Sequence, residues 1–217
     1  QREKKRKIIK INNKRVLPGS CSSYLPVVIF SPQDLILIKG APSGRRRFLD
    51  LLICQLRPQH SQDLHYYHNV LLQRNKQLRG AKATDADLFP WEKQLSSIGA
   101  RILKRRIDVF SQLIYYSSEV FASLSRGRIL RGEYKSQISG IKESDELGKL
   151  QELLLGALQK ARSTDRRLKF TTVGPHREDF CLYLDDHEAR LYASQGEQRL
   201  VSLALKVGQY QLLLLEK

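Results

Sequence analysis

Ser194-Gln195-Gly196-Glu197-Gln198-Arg199 stands just ahead of a run, Leu200 to Leu215, that is apolar nearly all round. Ser194 and Glu197 have the spacing of a capping box, in which the serine hydroxyl meets the backbone N–H three residues on and the glutamate reaches back. The hexamer therefore opens a helix that runs from 196 to the last residue. Leu200, Val201, Leu203, Ala204, Leu205, Val207 and Leu212 to Leu215 leave it no wide polar face, so it is buried, with a sheet as the expected neighbour. Ser-x-x-Glu opens many ordinary helices. Gly196 adds a second reading: lacking a side chain, it leaves the first-turn N–H groups open to a phosphate, which the positive helix end favours.

Working outward, residues 168–173, 180–184 and 190–193 read as strands. At the other end, Lys7 to Ile11 and Lys14 to Val16 flank Asn12-Asn13 and read as a hairpin. Residues 25–30 read as a buried strand whose end presents a loop, Ser31 to Asp34. Between these outer parts the period is helical, over 45–56, 62–78 and 146–161, with a linker over 80–90. The longest pattern spans 91–124. There Leu103, Ile107, Phe110, Ile114, Ser117, Phe121 and Leu124 step as a heptad seam with one polar member. Leu95, Ile98, Ile102, Val109, Leu113, Tyr116 and Val120 form a second stripe, so this helix of about 50 Å packs on more than one neighbour. Strands, a helical insertion, strands and a helix make an α/β domain interrupted by a helical arm. The expected division is 1–43 and 162–217 for the α/β part and 44–161 for the arm.

The chain has 217 residues, and 38 Lys and Arg against 22 Asp and Glu give a net charge of +16. Charge of that size favours a polyanion, nucleic acid before an anionic membrane. The basic residues cluster: Arg2 to Arg15, Arg45-Arg46-Arg47, Lys104-Arg105-Arg106, Arg126 to Lys135, and Arg162 to Lys169. Such side chains neutralise phosphates and make binding salt-dependent; the bland alternative is a solvated, soluble surface. A single Trp argues against a membrane-surface helix, and no apolar run approaches the ~20 residues that span a bilayer. Three dispersed cysteines, Cys21, Cys54 and Cys181, fit neither a disulfide framework nor a metal knuckle. No metal site is expected: His60, His65 and His68 lack a fourth ligand at suitable spacing. Methionine is absent and residue 1 is Gln, so the sequence reads as a fragment of a longer chain.

Three ordered blocks carry a family resemblance over nearly the whole chain. The hexamer at 194–199 resembles the signature motif of ABC-type ATPases of the SMC-like branch. Phe30-Ser31-Pro32-Gln33-Asp34 through Gly40-Ala41-Pro42-Ser43-Gly44-Arg45-Arg46-Arg47-Phe48-Leu49-Asp50 resembles the long signature of the RecF family of recombination mediators. Thr172-Val173-Gly174-Pro175-His176-Arg177-Glu178-Asp179 resembles that family's second block. Gln33, where an acidic residue is commoner, and Glu178, where Asp is, depart from the pattern.

The resemblance implies part of an ABC-type, P-loop NTPase-like head interrupted by a short helical or coiled-coil arm. It implies ATP and Mg²⁺ in the full-length protein, with Ser194, Gln195, Gly196, Glu197 and Gln198 closing in trans on nucleotide held by a second subunit. Gln33 and Asp34 would act like the Q-loop; a plain turn pair is the alternative. His176 and Arg177, with Arg45, Arg46, Arg47, Lys104, Arg105 and Arg106, are candidates for phosphate or DNA, or else partners of nearby carboxylates. No G-x-x-x-x-G-K-[ST] loop and no acidic pair ending an apolar strand occur, so this segment alone is not catalytic and a parent chain would be a weak ATPase.

The partners implied are double- and single-stranded DNA at gaps or junctions, RecR- and RecO-like mediators, and a second copy in the presence of ATP, with no membrane. The setting implied is the nucleoid-associated cytoplasm of a bacterium, in recombinational repair, replication restart and the SOS response. Two rivals stand beside it: an SMC-like tether, disfavoured by an arm of only about 50 Å, and a non-enzymatic helical nucleic-acid adapter.

Overall fold

The computed structural model describes residues 8–11, 13–16, 27–80 and 83–216. The hairpin forms, β1 (Ile9–Ile11) against β2 (Lys14–Val16), with Asn13 in the left-handed region at φ 63°. A 3₁₀ turn (Pro32–Leu35) leads into a short helix α1 (Ile36–Lys39), then α2 (Pro42–Leu56) and α3 (Gln59–Arg79). The helix α4 (Asp85–Leu124) has 40 residues, about 60 Å of rise. After it come β3 (Leu130–Lys135), α5 (Leu147–Lys160), α6 (Arg162–Leu168), β4 (Asp179–Leu184), β5 (His187–Glu188), α7 (Ala189–Tyr192) and α8 (Gln195–Leu215). The three strands form one antiparallel sheet in the order β3-β4-β5, with Leu130 opposite Leu184 and Lys135 opposite Asp179.

α4 organises the fold because both of its apolar stripes are covered. Its first half packs Leu95, Ile98 and Ile102 on Tyr67 and Val70 of α3 and on Leu154 and Leu158 of α5. Its second half packs Val109, Phe110, Leu113 and Phe121 with α2, the sheet and α8. The cores do not divide at 43/44 and 161/162: α2 and half of α4 share one core with β4 and α8.

Ser117, the polar member of the seam, marks where α4 and α8 approach most closely. A Cβ on Gly208 would lie 2.4 Å from Ser117 Oγ and 2.9 Å from its backbone nitrogen, and the buried hydroxyl donates to Leu113 O at 2.6 Å. A small, self-satisfied residue is what that crossing needs.

Several expectations are corrected. α4 starts at Asp85, not 91, since Thr84 and Asp87 form a capping box, and the helix runs on through Pro90, which forgoes one bond to the carbonyl of Ala86. Residues 168–173 are not a strand: α6 ends at Leu168, Lys169 turns at φ 61°, and Thr171 and Thr172 bond side chains of Asn75 and Asp165 instead of a neighbouring strand. Residues 190–193 fall largely in α7. Of 25–30, residues 25 and 26 lie outside the described residues; 27–30 have no regular structure and Ile29 and Phe30 are exposed, with no strand beside them among the described residues. Ser31 to Asp34 is a capped 3₁₀ turn, not an open loop. α8 buries itself chiefly on α4, not on a sheet, and its Tyr210, Leu214 and Leu215 are exposed. β3 was not expected at all.

At the outer end of α3, a fully buried guanidinium ties four segments together. Arg74 donates to Asp165 (2.7 Å), Thr171 Oγ1 (2.8 Å) and Glu92 (3.0 Å), and Arg162 adds a second clamp on Glu92 at 2.6 Å. Arg74, Glu92 and Asp165 are each 0% exposed.

Candidate nucleotide and phosphate sites

The hexamer forms the start of α8. Ser194 is the N-cap: its Oγ accepts from Glu197 N at 3.3 Å, and Glu197 Oε2 accepts from Ser194 N at 2.6 Å. Bonds from the Ser194 hydroxyl and N–H, then the Arg128 guanidinium, hold the Glu197 carboxyl down at about 2. Gln198 is buried and donates to Ala193 O at 2.6 Å, so it braces the turn from inside. Ser194, Gln195 and Gly196 are exposed. Glu197 N is capped and Gln198 N bonds Ser194 O, whereas the N–H groups of Gln195 and Gly196 have no partner among the described residues. A Cβ on Gly196 would meet nothing closer than Ser194 Oγ at 4.0 Å, so the chain's own packing does not call for glycine here. The exposed Leu191 and Tyr192, 67% and 70% accessible, flank this end.

Gln33 and Asp34 lie elsewhere. Asp34 caps its own turn through Ser31 N (2.6 Å) and pairs with Lys206 at 2.9 Å, while Gln33 is exposed. Lys206 is eleven residues beyond Gln195 on α8, about 16 Å of helix. The two candidate nucleotide-contacting groups therefore do not converge within one chain.

The arginine clusters are split by function. Arg45 is buried in a two-pronged pair with Asp179 at 2.7 and 2.6 Å and also donates to Gly40 O. Arg106, equally buried, forks onto Asp50 at 2.8 Å and donates to Pro175 O at 2.6 Å. Burial lifts the Asp50 carboxyl, but the His60 bond (2.9 Å) and Arg106 outweigh it and hold it below its ordinary value. Arg105 and Arg101 share Asp63, and Lys104 pairs with Asp108 at 2.9 Å. Carboxylates from distant elements already face Arg45, Arg105 and Arg106. Arg46 donates once, to Glu178 O at 2.6 Å, and Arg47 is exposed.

His176 is also committed to the fold. Its Nδ1 accepts from the Tyr67 hydroxyl at 3.0 Å and its Nε2 donates to Thr171 O at 3.1 Å, the tautomer following from the carbonyl, which only accepts. Burial pushes the imidazole down to about 4, against the pull of Thr171 O, with Arg177 and Arg46 adding to the depression. The unfolded chain, titrating near 6.5, therefore binds more protons between those values, and stability falls as pH drops from 6.5 towards 4. The expected loss from His176 is on the order of 3 kcal/mol. His176→Gln should flatten the pH dependence of the urea midpoint across that window; an unchanged slope would contradict the assignment. Arg177 is exposed, its guanidinium 4.9 Å over the Phe170 ring.

Several members of the site escaped the sequence reading. Arg128 bonds both Glu197 and Asp185, linking the loop after α4 to the start of α8. Asp50 and Asp179 end two of the blocks quoted above, yet nothing in the sequence pairs them with Arg106 and Arg45, and Arg74 lies in no motif. Among the described residues no three His, Cys, Asp or Glu side chains gather to hold a metal, and no helix is long and apolar enough to cross a membrane.

No family model matches the chain. It is 36% identical over 210 residues to the DNA replication and repair protein RecF of Heliobacterium modesticaldum, covering 94% of this chain and 56% of that protein. It is 38% identical over 186 residues to the protein of that name from Symbiobacterium thermophilum, covering 85% and 50%. Among solved structures it resembles the recombination mediator protein RecF-ATPrS in the RecFOR pathway, with TM-score 0.91, 32% identity, and 97% and 57% of the two chains covered. The corresponding RecF-ATP structure gives TM-score 0.89 at 33% identity, covering 96% and 57%. The chain spans just over half the length of these relatives.

Proposed function

The chain belongs to the RecF family and has the fold of its ABC-type ATPase head with a helical arm, and from that premise we propose that it forms the signature half of an ATP-gated DNA clamp in recombinational repair. The observation that carries the proposal is the open end of α8. Ser194, Gln195 and Gly196 face solvent, two amides there lack partners among the described residues, and glycine at 196 answers no need of the packing around it.

A triphosphate fits this end. The N–H groups of Gln195 and Gly196 would donate to its terminal oxygens, assisted by the helix dipole. Glu197 and Gln198 point back and hold the turn in shape. Arg128 braces Glu197 from the loop after α4 and so ties that loop to the phosphate-facing turn. The nucleotide would be held mainly by a second copy, with Leu191 and Tyr192 supplying apolar rim to that interface. ATP with Mg²⁺ supplies the charge that draws the two copies together. Gln33 and Asp34 would serve the nucleotide of their own subunit. The reading extends to loading of recombinase at gaps with RecO- and RecR-like partners, and the similar RecF structure's place in a RecFOR pathway supports it.

The test is fluorescence anisotropy of the full-length protein on a gapped duplex. ATP should tighten binding by about tenfold or more, equivalent to ~1.4 kcal/mol. Binding indifferent to ATP would leave Ser194-x-x-Glu197 as a helix cap alone, and an adapter role would replace the clamp.

A further inference from the structure

Among the described residues ten arginines pair with a carboxylate and nine do not, so a place where unpaired ones gather is informative. Around the turn at Pro175–Arg177, five guanidiniums, Arg45, Arg46, Arg47, Arg106 and Arg177, meet three carboxylates. Asp179 is taken by Arg45, Asp50 by Arg106 and His60, and the Glu178 carboxylate by the Tyr134 and Ser136 hydroxyls at 2.6 and 2.7 Å. Arg46, Arg47 and Arg177 have no carboxylate partner among the described residues. Arg46 is half-buried with a single bond to a backbone carbonyl, although a guanidinium has five donors to place. Burial and the neighbouring Arg106 charge lower its pKa by more than nearby Asp179 and Asp50 raise it.

Arg46 and Arg177 both line a cavity of about 290 Å³ that also takes in Ser43 and Gln137 and has no carboxylate in its wall. His176 forms part of that wall, its ring nitrogens bonded to Tyr67 and Thr171. Phe170 beneath the Arg177 guanidinium restricts where that side chain can lie. A second cavity of about 430 Å³ shares Ser43, Arg46 and His176 and reaches Arg47 along a largely apolar wall, where its one carboxylate, Asp50, is taken by Arg106 and His60. Two guanidinium forks with a hydroxyl and an amide suit a tetrahedral oxyanion. Arg47 beyond them adds a third unpaired cation along the same wall, which suits a polymer of such oxyanions.

We propose that the cleft between the start of α2 and the Pro175–Arg177 turn binds a backbone phosphate of DNA, with Arg46 and Arg177 as its cationic ligands. This rests on the DNA-binding reading above and places one contact of that clamp. The contact positions DNA without reading its sequence.

The test is the salt dependence of DNA binding by the full-length protein, measured by anisotropy on duplex DNA. Each phosphate neutralised adds about 0.9 to the slope of log affinity against log salt. Arg177→Gln, at a residue whose guanidinium lies over Phe170 and makes no hydrogen bond or ion pair among the described residues, should lower that slope by about 0.9 without shifting the thermal melt. Arg79→Gln, an exposed arginine at the end of α3, removes the same charge and should leave the slope unchanged. Arg177→Gln with the wild-type slope, or an equal fall for Arg79→Gln, would overturn the proposal and leave DNA binding standing. No DNA binding by the wild-type protein would overturn both. Weakened ATP affinity in Arg177→Gln, with DNA binding intact, would assign the phosphate to nucleotide and also overturn it.

Discussion

Ser194→Arg in the full-length protein removes the ATP-dependent tightening on DNA, by about tenfold or more, and leaves ATP-free binding unchanged. Two effects act together. The substitution deletes the oxygen that caps Glu197 N, at a cost of about 1 kcal/mol to the helix start. It also places a long cationic side chain over Gly196, in the space the chain keeps clear. Ser194→Ala separates them, because it removes the cap and adds no bulk. The alanine variant should keep most of the ATP response, and the arginine variant should lose it with the melting temperature changed only slightly. If both variants respond to ATP like the wild type, the start of α8 plays no part in nucleotide-driven closure.

Arg74→Met gives the largest expected change in stability. Arg74 is the shared donor to Asp165 and Glu92 at the meeting of α3, α4 and α6, and all three side chains are inaccessible to water. Removing one member of a buried pair strands the other, at about 3–5 kcal/mol. Glu92 retains Arg162, so the stranded charge is Asp165. In a chain of this size the melting temperature should fall by on the order of 10 °C. Arg74→Met with Asp165→Asn should recover more than half of the loss, since the amide oxygen still accepts from Thr172 N and its hydroxyl. A loss below about 1 kcal/mol, the range of an exposed pair, would contradict the burial on which the argument stands.

What the sequence made legible was local. The 3.6-residue period over 91–124 located α4 and both of its buried stripes, and Ser194 with Glu197 located the start of α8. What escaped was settled by partners far along the chain. β3 alternates Leu130, Gly132 and Tyr134 with three charged residues, a weak strand pattern, and exists because β4 lies beside it some fifty residues later. Thr171 and Thr172 look like strand residues, yet Asn75 and Asp165 take their hydrogen bonds. Arg45-Arg46-Arg47 is uniform in sequence. In the fold its first member meets Asp179, 134 residues away, and only the other two are left without a carboxylate. His176 and Arg177 are adjacent, but Tyr67, 109 residues earlier, takes the histidine and leaves the arginine. Charge is visible in a sequence; whether it is already neutralised is a property of the fold.

The central claim is that the exposed start of α8 completes a nucleotide site in a second copy of the protein, and sedimentation velocity of the full-length protein with and without ATP tests it most directly. The account predicts a monomer that becomes a dimer with ATP, and a Ser194→Arg variant that binds ATP yet stays monomeric. A wild-type protein that remains monomeric with ATP bound, or a Ser194→Arg variant that dimerises as the wild type does, would contradict it.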